Sequence, residues 1–171
     1  ALAHRPAPAL LAVSKLQPAA AVAALAAAGQ LAFGENYVQE AAAKRQALDP
    51  ALDARLEWHL IGHLQSNKAG LAAQVFDWIH SVDRASVIQA LARERAPDRA
   101  PLNVLLQVNV EDEAGKSGCA PGELAALAAQ VAAQPRLVLR GLMAIPVPHE
   151  DPQARRPAFA RVKSLFDALA A

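Results

Sequence analysis

A lysine closes the apolar run LLAVSK at residues 10–15, just before the turn signal Gln17-Pro18. An apolar run stopped by a turn reads as a buried strand, and open α/β sheets and barrels place their chemistry at strand carboxyl ends. Along a strand, Leu11, Val13 and Lys15 share one face, so Lys15 is expected to point into the interior. A lone ammonium held away from water gives up its proton more readily and leaves a neutral amine, the nucleophile of Schiff-base chemistry with carbonyls. The plain alternative is a lysine that ends a strand and snorkels to water. Other polar residues fall at equivalent places: Ser14, Glu35, Asn36, His63, Ser81, Asp83 and Asn109, with Met143 near the end of the last apolar run. A parallel sheet would gather all of them on one rim.

Each of these residues has a second reading. Asn36 could bond a ligand or satisfy a turn. Glu35 could pair with a lysine, but capping the next helix is the favoured reading. His59, inside an apolar strand, is expected to be a satisfied core residue, whereas His63 after Gly62 is better placed to meet a ligand. Lys116-Ser117-Gly118 could form an anion-binding nest, although a solvated loop is favoured. Met143 is expected to pack, which against a flat ring is also a role, and Cys119 to be a bystander. The chain contains no GxGxxG, GxxxxGK[ST], serine elbow or HExxH motif. His59 and His63 are four apart on a strand-to-loop segment with no completing carboxylate or thiol, so a metal is not expected.

The elements that must position these residues alternate. Residues 1–9, with His4, Arg5, Pro6 and Pro8, form a lead-in. Strands are expected at 10–15, 31–36, 56–62, 76–82, 102–110 and 137–145. Helices are expected at 19–28 with Gly29 as stop, at 37–48 closed by Pro50, from Ser66 as N-cap to Val75, at 84–95 capped by Asp83, and at 121–133. A last helix carries the stripe Phe159, Val162, Phe166 and Leu169. Six βα units imply an α/β fold with a parallel sheet covered by helices. Between residues 15 and 145 the repeats average about 26 residues, so a closed eight-fold barrel needs about 208. The chain, at 171 residues, is about two units short. The alternatives are an open doubly wound sheet and a barrel lacking its last strands.

Composition narrows the partners. Seventeen basic and 16 acidic side chains leave a net charge of +1, which gives no electrostatic case for nucleic acid or an anionic membrane. Hydrophobic residues make up 54%, a figure inflated by alanine, and aromatics only 4%, which suits small-residue helices packed on a sheet. The single Cys119 excludes an internal disulfide and points to a reducing, cytoplasmic setting. The longest uncharged stretch, Leu16–Gly34, is broken by Gln17-Pro18 and Gly29-Gln30, so no membrane span is expected. The sequence starts at Ala1 without methionine, compatible with a true start upstream.

Six strings occur in order: AVSK (12–15), FGENYVQE (33–40), EWHLIGHLQSNK (57–68), DWIHSVD (77–83), QVNV with KSG (107–118) and RGLMAIP (140–146). With them the chain resembles the YggS/PROSC family of pyridoxal phosphate homeostasis proteins, from about Leu10 to Ala170. The resemblance implies a TIM-type (β/α) barrel of the alanine racemase N-terminal-domain kind, as one incomplete domain over 1–171, with one pyridoxal 5′-phosphate per chain. It also implies that Lys15, the last residue of AVSK, carries the cofactor as a Schiff base, that Asn36 lies beside it, and that Met143 approaches its ring. The family's SMGMSxD-type segment and R-I-G-[ST] turn, which hold the cofactor phosphate, are absent here, as is its leading helix. That agrees with the repeat count and suggests a fragment or a partial sequence. A molecule ending at Ala171 is then expected to bind the cofactor poorly and to aggregate through edge strands one and six; tight binding would make Lys116 the first candidate for the phosphate.

Function follows as an expectation: a non-catalytic, monomeric carrier that releases the cofactor to apo-enzymes. The rival is a racemase-like enzyme of the same fold, which needs a second base, usually a tyrosine from another domain. Tyr37 is the one tyrosine and follows strand two on the same chain. A third reading is an open binding module without cofactor.

Overall fold

The computed structural model describes residues 8–113 and 115–170; most of the expected lead-in, residues 1–7, lies outside them. Six strands form one parallel sheet in the order β1 to β6: Ala12–Val13, Ala32–Glu35, Glu57–Leu60, Trp78–Val82, Leu102–Gln107 and Leu137–Met143. A doubly wound sheet reverses its strand order at a switch point. Here no reversal occurs, so right-handed crossovers send every connection to the same side. The helices accordingly form one layer in which each packs on the next: α1 (Ala19–Ala27), α2 (Val38–Ala47), α4 (Ala69–Val75), α5 (Ala85–Glu94), α6 (Leu124–Ala132) and α7 (Pro152–Ala170). This is the arrangement of a barrel wall. The sheet is not closed, and β1 and β6 are its two edges among the described residues.

The core lies between this wall and the helices, built from strand residues Phe33, Trp58, Leu60, Ile79, Val104 and Leu106 against helix residues such as Val22, Ala41, Ala72, Ile88 and Leu127. Alanine dominates the helix side because it lets helix backbones approach the sheet closely. The other face of the sheet, the inner face of the curved wall, is partly bare: Val13 is 53% exposed. A bulge between β5 and β6, where the pair Val104–Leu139 is followed by Leu105–Gly141, shifts the alternation. Both Leu139 and Leu142 therefore reach the core.

Several local expectations are corrected. Regular pairing of β1 covers only Ala12–Val13, with Ser14 adding one bond, its N–H donating to the carbonyl of Gly34 at 2.9 Å. Pro50 does not close a helix but opens the short α3 (Pro50–Asp53), where Asp49 accepts from the N–H groups of Ala51 and Leu52. Ser66 is not an N-cap; it begins a 3₁₀ turn through Lys68. Asp83 pairs with Arg84 at 2.6 Å and makes no cap bond to α5. In α7 the stripe is Ala158, Val162, Leu165 and Leu169, while Phe159 and Phe166 stay 58% and 42% exposed. Gly29 does end α1, at φ 99°, with its N–H on the carbonyl of Ala26.

Two arginines bind the helix layer to the wall. Arg45 forks onto Asp53 and lies 5.8 Å over the Trp58 ring, whose Nε1 also donates to Asp53. Arg95 is 3% exposed and donates to the carbonyls of Ala73, Phe76 and Ala100 at 2.6, 2.9 and 2.9 Å. Among the described residues no helix is long and apolar enough to cross a membrane.

The Arg95 contacts join the α4–β4 turn to the loop before β5. Substituting Arg95→Met keeps the stem but removes three charge-assisted bonds, so stability should fall by about 3 kcal/mol. Urea unfolding would check this; a midpoint unchanged within error would show the three carbonyls to be solvated without it.

Candidate functional site

The chain at the end of β1 is held from below. Ser14 is buried, and its Oγ donates to Glu35 Oε1 at 2.6 Å. Lys44, in the last turn of α2, donates to the Ser14 carbonyl at 2.6 Å, to Glu35 Oε1 at 2.6 Å and to Glu40 Oε1 at 2.8 Å. Leu16 takes a left-handed conformation, φ 63°, and its N–H donates to Glu40 Oε1 at 2.5 Å. Lys44 holds the Glu40 carboxyl below the usual carboxylate range. Since Ser14 and Glu35 turn toward the helices, alternation turns Lys15 and Asn36 to the inner face.

This corrects two expectations. Glu35 is not a helix cap: it is fully buried and paired with Lys44. Lys15 is not buried; it is exposed, because β1 is an edge and nothing among the described residues covers the inner face there. The same bareness leaves its amine free to be reached.

Asn36 follows β2 and Lys15 follows β1, each two residues beyond the register pair Val13–Gly34, so both stand at the carboxyl ends of neighbouring strands. Gly34, on the inner face, is closely covered: a Cβ there would come within 3.1 Å of Ile61 and 3.3 Å of Leu11. Gly62 presses on the main chain of Asn36 from β3's end: a Cβ at 62 would lie 2.3 Å from the Asn36 carbonyl oxygen. Ser81, buried at the end of β4, donates to the carbonyl of Gly62 at 2.6 Å and so fixes that contact.

A cavity of about 300 Å³ opens here, lined by Asn36, Gly62, His63, Asn109, Lys116 and Ile145 among others. His63 also faces a neighbouring cavity of about 410 Å³ with Asn36, Tyr37 and Lys68. Asn109 bonds both the N–H and the carbonyl of Glu113, bracing its own loop. Lys116 pairs with Glu113, and Ser117 holds Gln107 and meets His63 at 3.3 Å. The 116–118 segment is therefore a braced loop facing the cavity. Cys119 is buried, and burial pushes its thiol up to about 11, which leaves it unreactive.

Met143 ends β6 on the face opposite Leu142 and is partly exposed. Lys15 and Asn36 thus follow adjacent strands at their carboxyl ends, with Asn36 but not Lys15 lining the two cavities, while Met143 stands on β6 at the other edge of the strand order. Sequence reasoning missed Gly62 and Lys44. The i,i+4 pair Glu40–Lys44 signalled a helix salt bridge, but nothing local signalled that Lys44 is only 6% exposed.

Deeper on the inner face, His59 joins Glu57 at 2.8 Å and His80 at 2.9 Å and stacks on Trp78 with ring centroids 5.4 Å apart. His59 is the satisfied interior histidine its strand position suggested. Burial, and then His59, push His80 down to about 4, while burial lowers His59 against the opposing pull of Glu57. One neutral ring therefore donates to the other at neutral pH.

The profile of the family described as alanine racemase, N-terminal domain, matches residues 1–171. The pyridoxal phosphate homeostasis protein of Pseudomonas aeruginosa is 54% identical over 157 residues, 92% of this chain and 67% of that protein. Its namesake in Haemophilus influenzae is 48% identical over 160 residues, 94% of this chain and 67% of its own. Among solved structures, PipY of Synechococcus elongatus with PLP bound superposes with a TM-score of 0.86 at 38% identity, over 98% of this chain and 76% of PipY. Alanine racemase from Corynebacterium glutamicum, at 19% identity and a TM-score of 0.67 over 96% of this chain and 47% of its own, shares the fold.

The Gly62–Asn36 approach can be tested by stability alone. With a methyl group at 62 inside backbone contact distance, Gly62→Ala must separate the two strand ends and should cost about 2–4 kcal/mol. Thermal or urea unfolding reads this, and a loss below about 1 kcal/mol would mean the two loops part freely.

Proposed function

The chain belongs to the alanine racemase N-terminal domain family, and on that premise we propose that it binds pyridoxal 5′-phosphate and serves in its homeostasis. The observation that carries this reading is the exposed amine of Lys15, on a turn fixed by five hydrogen bonds at the carboxyl end of β1, the strand next to the one that Asn36 follows. PipY with its bound PLP and the naming of the curated relatives support it. The residues present fit such a group: a reachable primary amine, an adjacent amide, and an inner face kept low by Gly34. When bound, the cofactor supplies an aldehyde that condenses with an amine and releases water.

Each residue has a separate task. Lys15 holds the cofactor as a Schiff base, Asn36 orients it by a hydrogen bond, and Met143 offers a polarizable side chain to its ring. His63 and the braced 116–118 loop line the space beside Asn36. We read residues 1–171 as part of one barrel domain, acting in the cytoplasm as a monomer that passes cofactor to apo-enzymes. We read it as a carrier and not a catalyst because racemisation needs a second proton-transferring group across the ring from Lys15. Tyr37, 59% exposed, follows β2 on the same rim as Lys15. Enzyme-like turnover of alanine or serine would overturn the carrier reading.

Lys15→Ala should abolish the visible absorbance of the bound cofactor and its trapping by borohydride, while the circular dichroism stays that of the parent. Peptide mapping that finds the reduced label on Lys68 or Lys116 would reassign the site. Asn36→Ala removes a hydrogen bond worth about 0.5–1.5 kcal/mol and should weaken cofactor retention roughly two- to tenfold with the covalent link still formed. A dissociation constant equal to the parent's would leave Asn36 a turn residue.

A further inference from the structure

Lys44 is placed where a helix surface lysine would be expected, four residues after Glu40, yet it is 6% exposed. An ammonium has three protons and no acceptor. All three find partners here: the Ser14 carbonyl, Glu35 and Glu40. Those partners flank Lys15 on both sides. Ser14 is gripped through its carbonyl by Lys44 and through its hydroxyl by Glu35. Leu16 is gripped through its N–H by Glu40, which Lys44 holds in place.

Leu16 gives an independent indication. A leucine at φ 63° is in a conformation that L side chains rarely adopt, and such residues persist only where their surroundings over-determine them. The Leu16 side chain is 79% exposed, so its own packing does not impose the geometry. The main-chain bonds do: the Gln17 N–H closes the turn on the Ser14 carbonyl at 3.0 Å, and Lys44 donates to that same carbonyl and to the Glu40 carboxylate that the Leu16 N–H meets. Glu35, fully buried with Oε2 unpartnered among the described residues, directs its bonded oxygen at Ser14 and Lys44 alone.

We propose that Lys44 is the positioning residue of the site: its buried ammonium locks residues 14–16 into the turn that aims the Lys15 amine across the inner face. This rests on Lys15 being the cofactor lysine. Lys44 touches no ligand itself. It fixes where the reacting nitrogen starts, so its loss should impair the condensation of amine with aldehyde, in which water leaves, more than it impairs the pocket.

The test compares two ligands on the purified protein. Pyridoxal 5′-phosphate reports the covalent link by visible absorbance and borohydride trapping. Pyridoxine 5′-phosphate, an alcohol that cannot condense, reports the pocket alone by calorimetry. In Lys44→Met/Glu35→Gln, which removes both buried charges together, the link should form at least tenfold more slowly and less completely, with pyridoxine 5′-phosphate bound within twofold of the parent. In Glu40→Leu, a milder change, the same rate should fall by a few fold. The Leu16 amide in the cofactor-free protein should exchange with solvent at least tenfold faster in the double variant. Parent-like link formation in both variants would overturn the proposal, as would equal losses for the two ligands, which would make Lys44 a packing residue. Failure of the parent itself to trap label on Lys15 would instead refute the assignment of Lys15, and this proposal with it.

Discussion

One buried ammonium ties the first third of the fold together. Lys44 reaches from α2 under β2 to the end of β1, so a helix and two strands share a single charged node. Removing an ammonium and a carboxylate from water is costly, and such pairs give little net stability over apolar residues of the same volume. What they supply is discrimination: an alternative register of β1 on β2 would strand a charge in the core. That constraint matters most at an edge strand with only two residues in regular pairing, where backbone bonds alone would specify alignment weakly.

The strand order and the one-sided helix layer follow from features that recur along the sequence. Each apolar run is followed by a helical stretch, and that alternation specifies a parallel wall. The rim of polar residues was legible for the same reason, since every one of them closes an apolar run. Local signals were present but overlooked at Asp49-Pro50, where an N-cap followed by a proline at the first helical position marks a start, not an end. Other features were not legible at all. Whether α7 turns Ala158 or Phe159 to the sheet is undecided by helical spacing, because both offsets repeat equally well; in the fold Ala158 joins the core, while Phe166 lies against Gly141 at its margin.

The rim residues and the buried pair beneath them illustrate opposite limits. Asn36 could be placed from its position after an apolar run, and its neighbour Lys15 likewise. The exposure of Lys15 could not, because it depends on what lies across the inner face, a matter of tertiary closure and not of local pattern. Conversely, the burial of Lys44 and Glu35 arises from a contact nine residues apart in sequence that crosses from strand to helix. A charge pattern on a helical wheel records only the surface half of that arrangement, Glu40 with Lys44.

Two glycines of this chain carry opposite meanings under the same letter. At Gly122 nothing stands within 4 Å of the place a side chain would occupy, and its backbone is of a kind any residue adopts. At Gly62 the main chain of Asn36 already fills that place. The first position therefore has room for a larger residue, whereas the second takes one only if the neighbouring loop moves away. The constraint comes from the backbone at 36, whatever side chain it carries, so it weighs on the glycine and not on the asparagine.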